Sequence, residues 1–322
     1  MKKVYFLAVV LFLSAIAFTS CKKDNQYSPK SKIKSVYVQQ TVEYDKPLYQ
    51  EELNRYIDKY LDEKWTWDGK RLKTIDSYYS DGSIYETIQF TYDSKNRFDR
   101  VIFPSYQLQY RYDDSKLVGI DVYSGTTIIE SYTMYYDGKK VSRISYIDYD
   151  DSNNKKYMEE FGKYNPLSMI FNKEIANNIM SGIDKADKNT RGMTTAEYSL
   201  TWNKNNITRI TGTIISSQAT TTYTYDYEYD THKNPYNGLF LSFNTSYLTE
   251  NNITSIRSTL TQGNIRIDES SDISYTYDKG FPKVATSVYK AVNKGYYYLY
   301  VQTGNSDYYP SYTCKTITEY QY

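Results

Sequence analysis

The chain is poor in the side chains that carry acid–base or nucleophilic chemistry. His232 is its single histidine. A Ser-His-Asp hydrolase would have to use it, yet it stands among turn formers beside Pro235, and no Gly-x-Ser-x-Gly nucleophile elbow occurs. His232 therefore reads as a turn residue exposed to solvent. One histidine excludes a histidine-based metal site. Asp226, Glu228 and Asp230 alternate along one stretch, and Asp268, Glu269 and Asp272 form a second acidic group near an expected turn. Strand neighbours two apart are separated by roughly 7 Å, so one strand face cannot chelate calcium without help from another. Both groups read as solvated faces. A carboxylate pair for glycoside hydrolysis needs two convergent acids, and nothing in the sequence singles out a pair. No phosphate-cradling glycine loop or dinucleotide fingerprint is present. The expectation is a protein without catalytic residues, metal or cofactor. Trp65, Trp67 and Trp202 adjoin turns. They form either an aromatic surface for sugar or peptide, or part of the sheet's own core.

The elements that position these residues are marked by a repeat. An aromatic residue is followed by Asp or Asn, a few turn-forming or charged residues, an apolar residue and soon an Ile. It reads Trp67-Asp68-Gly69-Lys70-Arg71-Leu72, then Tyr92-Asp93-Ser94-Lys95-Asn96-Arg97-Phe98, Tyr112-Asp113-Asp114-Ser115-Lys116-Leu117 and Tyr136-Asp137-Gly138-Lys139-Lys140-Val141. Later copies are Trp202-Asn203-Lys204-Asn205-Asn206-Ile207 and Tyr277-Asp278-Lys279-Gly280-Phe281. The first four recur roughly every 20 to 25 residues, room for two strands and two turns. Asp-Gly and Lys-Gly tolerate the positive φ of tight hairpins. The opposite turns are marked by Ser80-Asp81-Gly82, Pro104-Ser105, Ser124-Gly125 and Asp150-Asp151-Ser152.

Between turns, polarity alternates with period two, as in Tyr106-Gln107-Leu108-Gln109-Tyr110-Arg111-Tyr112 and Tyr223-Thr224-Tyr225-Asp226-Tyr227-Glu228-Tyr229. One dry and one wet face is the pattern of antiparallel strands. The chain has 41 tyrosines against 11 phenylalanines. Tyrosine favours strands and buries its ring while its hydroxyl finds a partner. The expected fold is all-β: a long antiparallel meander of hairpins over residues 34–322, strongly curved or closed into a barrel. Closure would remove the edges a meander otherwise exposes. The partners of the tyrosines are Thr, Asp, Glu, Gln and Arg, so the outer face is expected to be wet, not lipid-facing. Two stretches break the pattern. Leu53, Tyr56, Ile57, Tyr60 and Leu61 suit either an amphipathic helix over 49–61 or a strand running to Trp67. Residues 165–192 read as a loop or short helix inserted mid-chain.

The N-terminus fixes an address. Lys2 and Lys3 precede an apolar run from Val4 to Phe18, about signal-peptide length and shorter than the roughly 20 residues a spanning helix needs. Phe18-Thr19-Ser20-Cys21 resembles a lipobox, with Phe18 where Leu is more usual. The resemblance implies removal of residues 1–20 and acyl chains on Cys21, a stable anchor. Residues 21–33, rich in Lys, Ser, Asn and Asp, suit a flexible tether. Lys22 after the cysteine gives no sign of inner-membrane retention, so an outer-membrane address is expected, facing the periplasm or the cell surface. Cys314 then has no disulfide partner and reads as a small buried hydrophobe of a terminal strand. A net charge of +1 offers no broad basic field to attract nucleic acid or an anionic membrane.

The repeats resemble the YD repeats of large bacterial shell-forming proteins. With the lipobox and the late segment Tyr229-Asp230-Thr231-His232-Lys233-Asn234-Pro235-Tyr236, the layout more closely resembles a family of uncharacterised bacterial lipoproteins with a porin-like β-fold. That resemblance implies a fold and a location but no activity, and no functional residues carry over. The functional expectation is non-catalytic binding of a glycan or an envelope protein. The alternatives are a structural spacer of the envelope and a carboxylate-dependent hydrolase.

Overall fold

The computed structural model describes residues 27, 29, 31–44, 55–149, 194–215, 220–239, 245–262, 265–293 and 312–322. They form sixteen strands: β1 (Ser35–Tyr44), β2 (Arg55–Asp68), β3 (Arg71–Tyr78), β4 (Ile84–Tyr92), β5 (Phe98–Ile102), β6 (Gln107–Asp113), β7 (Lys116–Ser124), β8 (Thr127–Asp137), β9 (Lys140–Asp148), β10 (Thr194–Asn203), β11 (Asn206–Ile215), β12 (Thr220–Lys233), β13 (Asn251–Gln262), β14 (Ile265–Asp278), β15 (Phe281–Asn293) and β16 (Tyr312–Gln321). Each pairs antiparallel with its sequence neighbours, and β1 pairs with β16 from Ser35↔Gln321 to Tyr44↔Tyr312. The meander therefore closes into a barrel with no free edge. One helical turn, α1 (Thr245–Leu248), lies in the β12–β13 connection.

All repeat motifs fall at one end of the barrel, as the tips of the β2–β3, β4–β5, β6–β7, β8–β9, β10–β11 and β14–β15 hairpins. Five tips are two-residue loops whose first residue is left-handed: Gly69, Asp114, Gly138, Lys204 and Lys279, with φ from 48° to 59°. In β2, β6, β8, β10 and β14 the register shifts just before the motif aromatic. A bulge there turns the aromatic away from strict alternation and tightens the local twist.

The wall has the polarity read from the sequence. On β12, Tyr223, Tyr225 and Tyr227 are buried inside while Thr222 and Glu228 are exposed outside. The outer wall carries cross-strand ion pairs: Lys59–Glu319 at 2.6 Å, Arg143–Glu197 at 2.9 Å, Arg209–Asp226 at 2.6 Å and Arg257–Asp272 at 2.5 Å. A lipid-facing strand would present an apolar band there. The described outer wall presents threonine, serine and paired charges. The interior is filled by one hydrophobic cluster that draws on fifteen of the sixteen strands, including Ile75, Phe98, Ile120, Tyr132, Ile207, Tyr225, Tyr289 and Cys314, with Ile273 of β14 packed against it. Cys314 is 1% exposed in β16, the terminal strand expected for it.

The open choice at residues 49–61 is decided in favour of a strand for its described part, residues 55–61 of β2. Its register with β1 slips twice, between Val36 and Tyr37 and between Val38 and Gln40. Two slips break strict alternation, which is why the apolar positions fall at helix-like spacing. The insertion expected at 165–192 lies outside the described residues.

Candidate functional site

The barrel has two unlike ends. The motif end is locked. Several aromatics at the strand ends reach back to the backbone of the preceding hairpin and donate to the carbonyl of the residue just after its tip, whereas Tyr277 donates to the Asp230 carboxylate. Tyr92 Oη donates to Leu72 O (2.9 Å), Tyr136 Oη to Leu117 O (2.7 Å), Trp202 Nε1 to Val141 O (2.7 Å) and Tyr229 Oη to Ile207 O (2.5 Å). Tyr275 and Tyr322 do the same to Ile253 and Pro282. The basic residue before the acceptor lies over the next aromatic: Arg71 over Tyr92, Arg97 over Tyr112, Lys116 over Tyr136 and Lys140 over Trp202, at 4.0 to 5.5 Å from the ring centres. The repeat is thus a stitch between consecutive hairpins. Its aromatic binds backwards and its basic-apolar pair receives the next copy.

The N-terminal segment supplies the stitch missing at the start of the ring. Lys32 lies over Trp67 at 5.5 Å, and Trp67 Nε1 donates to Ile33 O at 2.7 Å. Ile33 is fully buried. Tyr27 is 4% exposed, packs beside Trp67 and Phe98, and donates its hydroxyl to Pro235 O at 3.0 Å. Within residues 21–33, expected to be a flexible tether, Tyr27, Lys32 and Ile33 instead pack against the barrel. The Asn-Pro segment closes the same mouth. Asn234 accepts from Tyr236 N at 3.0 Å, and the Tyr236 ring sits 6.1 Å from both Trp65 and Tyr320.

This geometry places the residues singled out in the sequence. Trp65 is 5% exposed and donates Nε1 to Glu63 at 2.7 Å. Trp67 and Trp202 are half-buried, with their N–H groups spent on Ile33 and Val141 and a lysine over each ring. Trp65 and Trp67 lie together on β2, and Trp202 lies on β10, so the three do not form one surface. His232 stacks on Tyr277 at 3.8 Å, and Asp230 accepts from His232 N, Asn252 N and Tyr277 Oη. That network pins the β12–β13 connection. Asp226 pairs with Arg209 on the outer wall. Asp268 and Asp272 point outward from β14, paired with Arg266 and Arg257, while Glu269 points inward. Among the described residues no group of three His, Cys, Asp or Glu is arranged to hold a metal. Cys21 lies outside the described residues.

The far half of the interior holds buried carboxyls: Glu130 and Glu86, which the sequence reading passed over, and Glu269, which it placed on a solvated face and which burial removes from it. Glu130 is 4% exposed, accepts from Tyr132 Oη at 3.0 Å, and stands opposite Asp148 in the β8–β9 pairing. Burial, then the Asp148 charge, push its carboxyl well above the usual range, against the pull of Tyr132 and Tyr146. Glu269 accepts from Ser258 Oγ at 3.0 Å, and burial raises it to about 7. Glu86 is also buried. A signal for them was present: Glu86 runs in phase with Ile88 and Phe90, and Glu130 with Tyr132 and Met134, so each is an acid in the dry register.

The far rim is where apolar surface is shown. Of the large exposed apolar side chains among the described residues, Tyr56, Tyr79, Ile84, Ile128, Tyr149 and Ile215 all lie at or near the far ends of their strands, and Ile84 is 60% exposed. The exception, Tyr135, lies under the Arg143 guanidinium.

The strand pairing defines the class: a closed sixteen-stranded antiparallel β-barrel. No protein-family model matches the chain, and no curated protein does. Among solved structures it is similar to a porin-like protein from Bacteroides vulgatus, with 9% identity and a TM-score of 0.41, the match covering 90% of this chain and 99% of that one. It is also similar to the Tc holotoxin pore of Photorhabdus luminescens, with 11% identity and a TM-score of 0.21 over 74% of this chain and 16% of that one.

Proposed function

We propose that this chain is a lipid-anchored protein of the bacterial envelope that works without catalysis, presenting the rim far from its anchor to a protein partner. The observation that carries the reading is the division of labour between the two ends. Tyr27 and Ile33 seat the N-terminal segment in the motif end, so acyl chains on Cys21, six residues before Tyr27, would hold that end at the membrane. The exposed apolar side chains then face away from it. Apolar surface rimmed by polar residues marks interaction sites. Ile84, Ile128 and Ile215 favour a protein over a glycan, since aliphatic side chains give sugar rings no face to stack on. The polar outer wall supports a barrel held beside a bilayer by its anchor.

Two measurements test this. The mature protein, extracted from membranes, should yield an N-terminal peptide beginning at acylated Cys21, and Cys21→Ser should move the protein to the soluble fraction. Photo-crosslinking groups at Ile84 or Ile215 should capture one envelope protein that the same group at Lys139, on a motif-end tip, does not. Equal capture from both ends, or capture of glycan alone, overturns the assignment of the rim.

A further inference from the structure

We infer that the ring of hairpin tips at the motif end is itself a membrane-facing surface, fitted to anionic phosphate headgroups. The inference deepens the reading of a lipid-anchored barrel and rests on it. The six motif tips, 68–71, 93–97, 113–116, 137–140, 203–206 and 278–281, carry nine Lys or Arg against six Asp. Lys32 and Lys34 add two more positive charges at the same mouth, and Asp230, Lys233 and Glu250 of the β12–β13 connection return one negative. The motif end therefore carries a side-chain charge of +4. Residues 21–322 as a whole carry −1, because Lys2 and Lys3 account for two of the chain's positive charges. The described residues by themselves also carry −1, so the described remainder of the barrel carries −5. The charge is polarised along the barrel, and its positive end is the one at which the anchored segment enters.

Local pairing shapes this field without cancelling it. Arg97 is tied to Asp93 at 2.6 Å, and Lys233 to Glu250. Lys116 donates to Gly138 O at 2.9 Å and Lys140 to Lys204 O, so these cations are held by neutral carbonyls and keep their charge outward-facing in effect. Lys70, Lys139, Lys204 and Lys279 sit exposed on loop tips. The stitch spaces them around the rim as an annulus rather than a single cluster. An annulus meets a flat anionic surface at several points and so sets the tilt of the barrel axis, standing the barrel upright with its far rim away from the bilayer. Attraction of this kind acts within a Debye length, about 10 Å at 0.1 M salt, a distance the tips reach only because the anchored segment emerges among them.

The test uses the full mature chain with Cys21→Ser, so that no acyl chain contributes, in co-sedimentation with vesicles of phosphatidylcholine alone or with one quarter phosphatidylglycerol. At low ionic strength the protein should bind the phosphatidylglycerol vesicles and not the neutral ones, and half-molar salt should release it. Lys70→Glu, Lys139→Glu and Lys279→Glu together should weaken binding by at least about tenfold. Lys290→Glu with Lys315→Glu, exposed far from the tips, should leave it within about twofold, and circular dichroism should show both variants folded. Equal binding to both vesicle types, no binding to either, or equal loss in the two variants overturns the inference. The mass of the Cys21 peptide reports on the anchor separately, so failure of the surface and failure of the anchor are distinguishable.

Discussion

A Glu269→Gln substitution should flatten part of the pH dependence of folding, and the size of the effect follows from the site. The Glu269 carboxyl is buried although the residue as a whole is only half-buried, and burial raises it from 4.5 to about 7 against the pull of Tyr289 and Ser258. In the unfolded chain it titrates near its ordinary value. Between about pH 4.5 and 7 the folded form therefore binds more protons than the unfolded one, so stability falls as pH rises through that window and levels off above it. Each unit of difference is worth about 1.4 kcal/mol, so the loss attributable to this one group is about 3 kcal/mol, an upper figure because water reaches part of the residue. Glutamine keeps the shape and the hydrogen bond from Ser258 but has no charge to release. Urea unfolding of both proteins at pH 4.5 and pH 8 reads the effect. The wild type should lose stability between the two pH values, and the variant should lose about 3 kcal/mol less. Glu130 contributes a loss of the same sign in both proteins, so it cancels in the comparison. An identical pH dependence in wild type and variant would refute the placement of Glu269 in the dry interior.

Two further outcomes test the packing. Tyr136→Phe removes the donor to Leu117 O and leaves that carbonyl without it, which should cost about 1 to 3 kcal/mol in chemical denaturation; an unchanged midpoint would show the stitch to be idle. Gly212→Ala places a Cβ 2.6 Å from the Tyr198 ring, and overpacking of that kind should cost about 1 to 3 kcal/mol, whereas Gly125→Ala, with open space around it but a φ of 59°, should be paid only in backbone strain.

Much of this barrel is legible along the chain because its information is local. Alternation in Tyr223–Tyr229 fixed which side of β12 is dry, and the Asp-Gly and Lys-Gly tips fixed where strands reverse, since both depend on residues two to four apart. The aromatic-Asp repeat could be seen, but its purpose could not. Tyr136 Oη and Leu117 O are 19 residues apart, and Trp202 Nε1 and Val141 O are 61 apart, so only folding shows that such copies bind the one before. For the same reason the sequence could not show that the N–H groups of the turn-side tryptophans are engaged within the barrel. The spacing at 56–61 left helix and strand open because two register slips, which no local pattern announces, break the alternation there.

By itself the sequence determined the strand content, the polarity of each face and the positions of the tips, because hydrophobic burial and turn sterics act on neighbouring residues. Tertiary structure alone decided that β1 meets β16, that Lys32 and Ile33 complete the ring, and that Glu130 and Glu269 end inside it. Those outcomes depend on the ends of the chain meeting across nearly 300 residues, where closure removes the last unpaired backbone edge and excludes water from whatever the wall encloses.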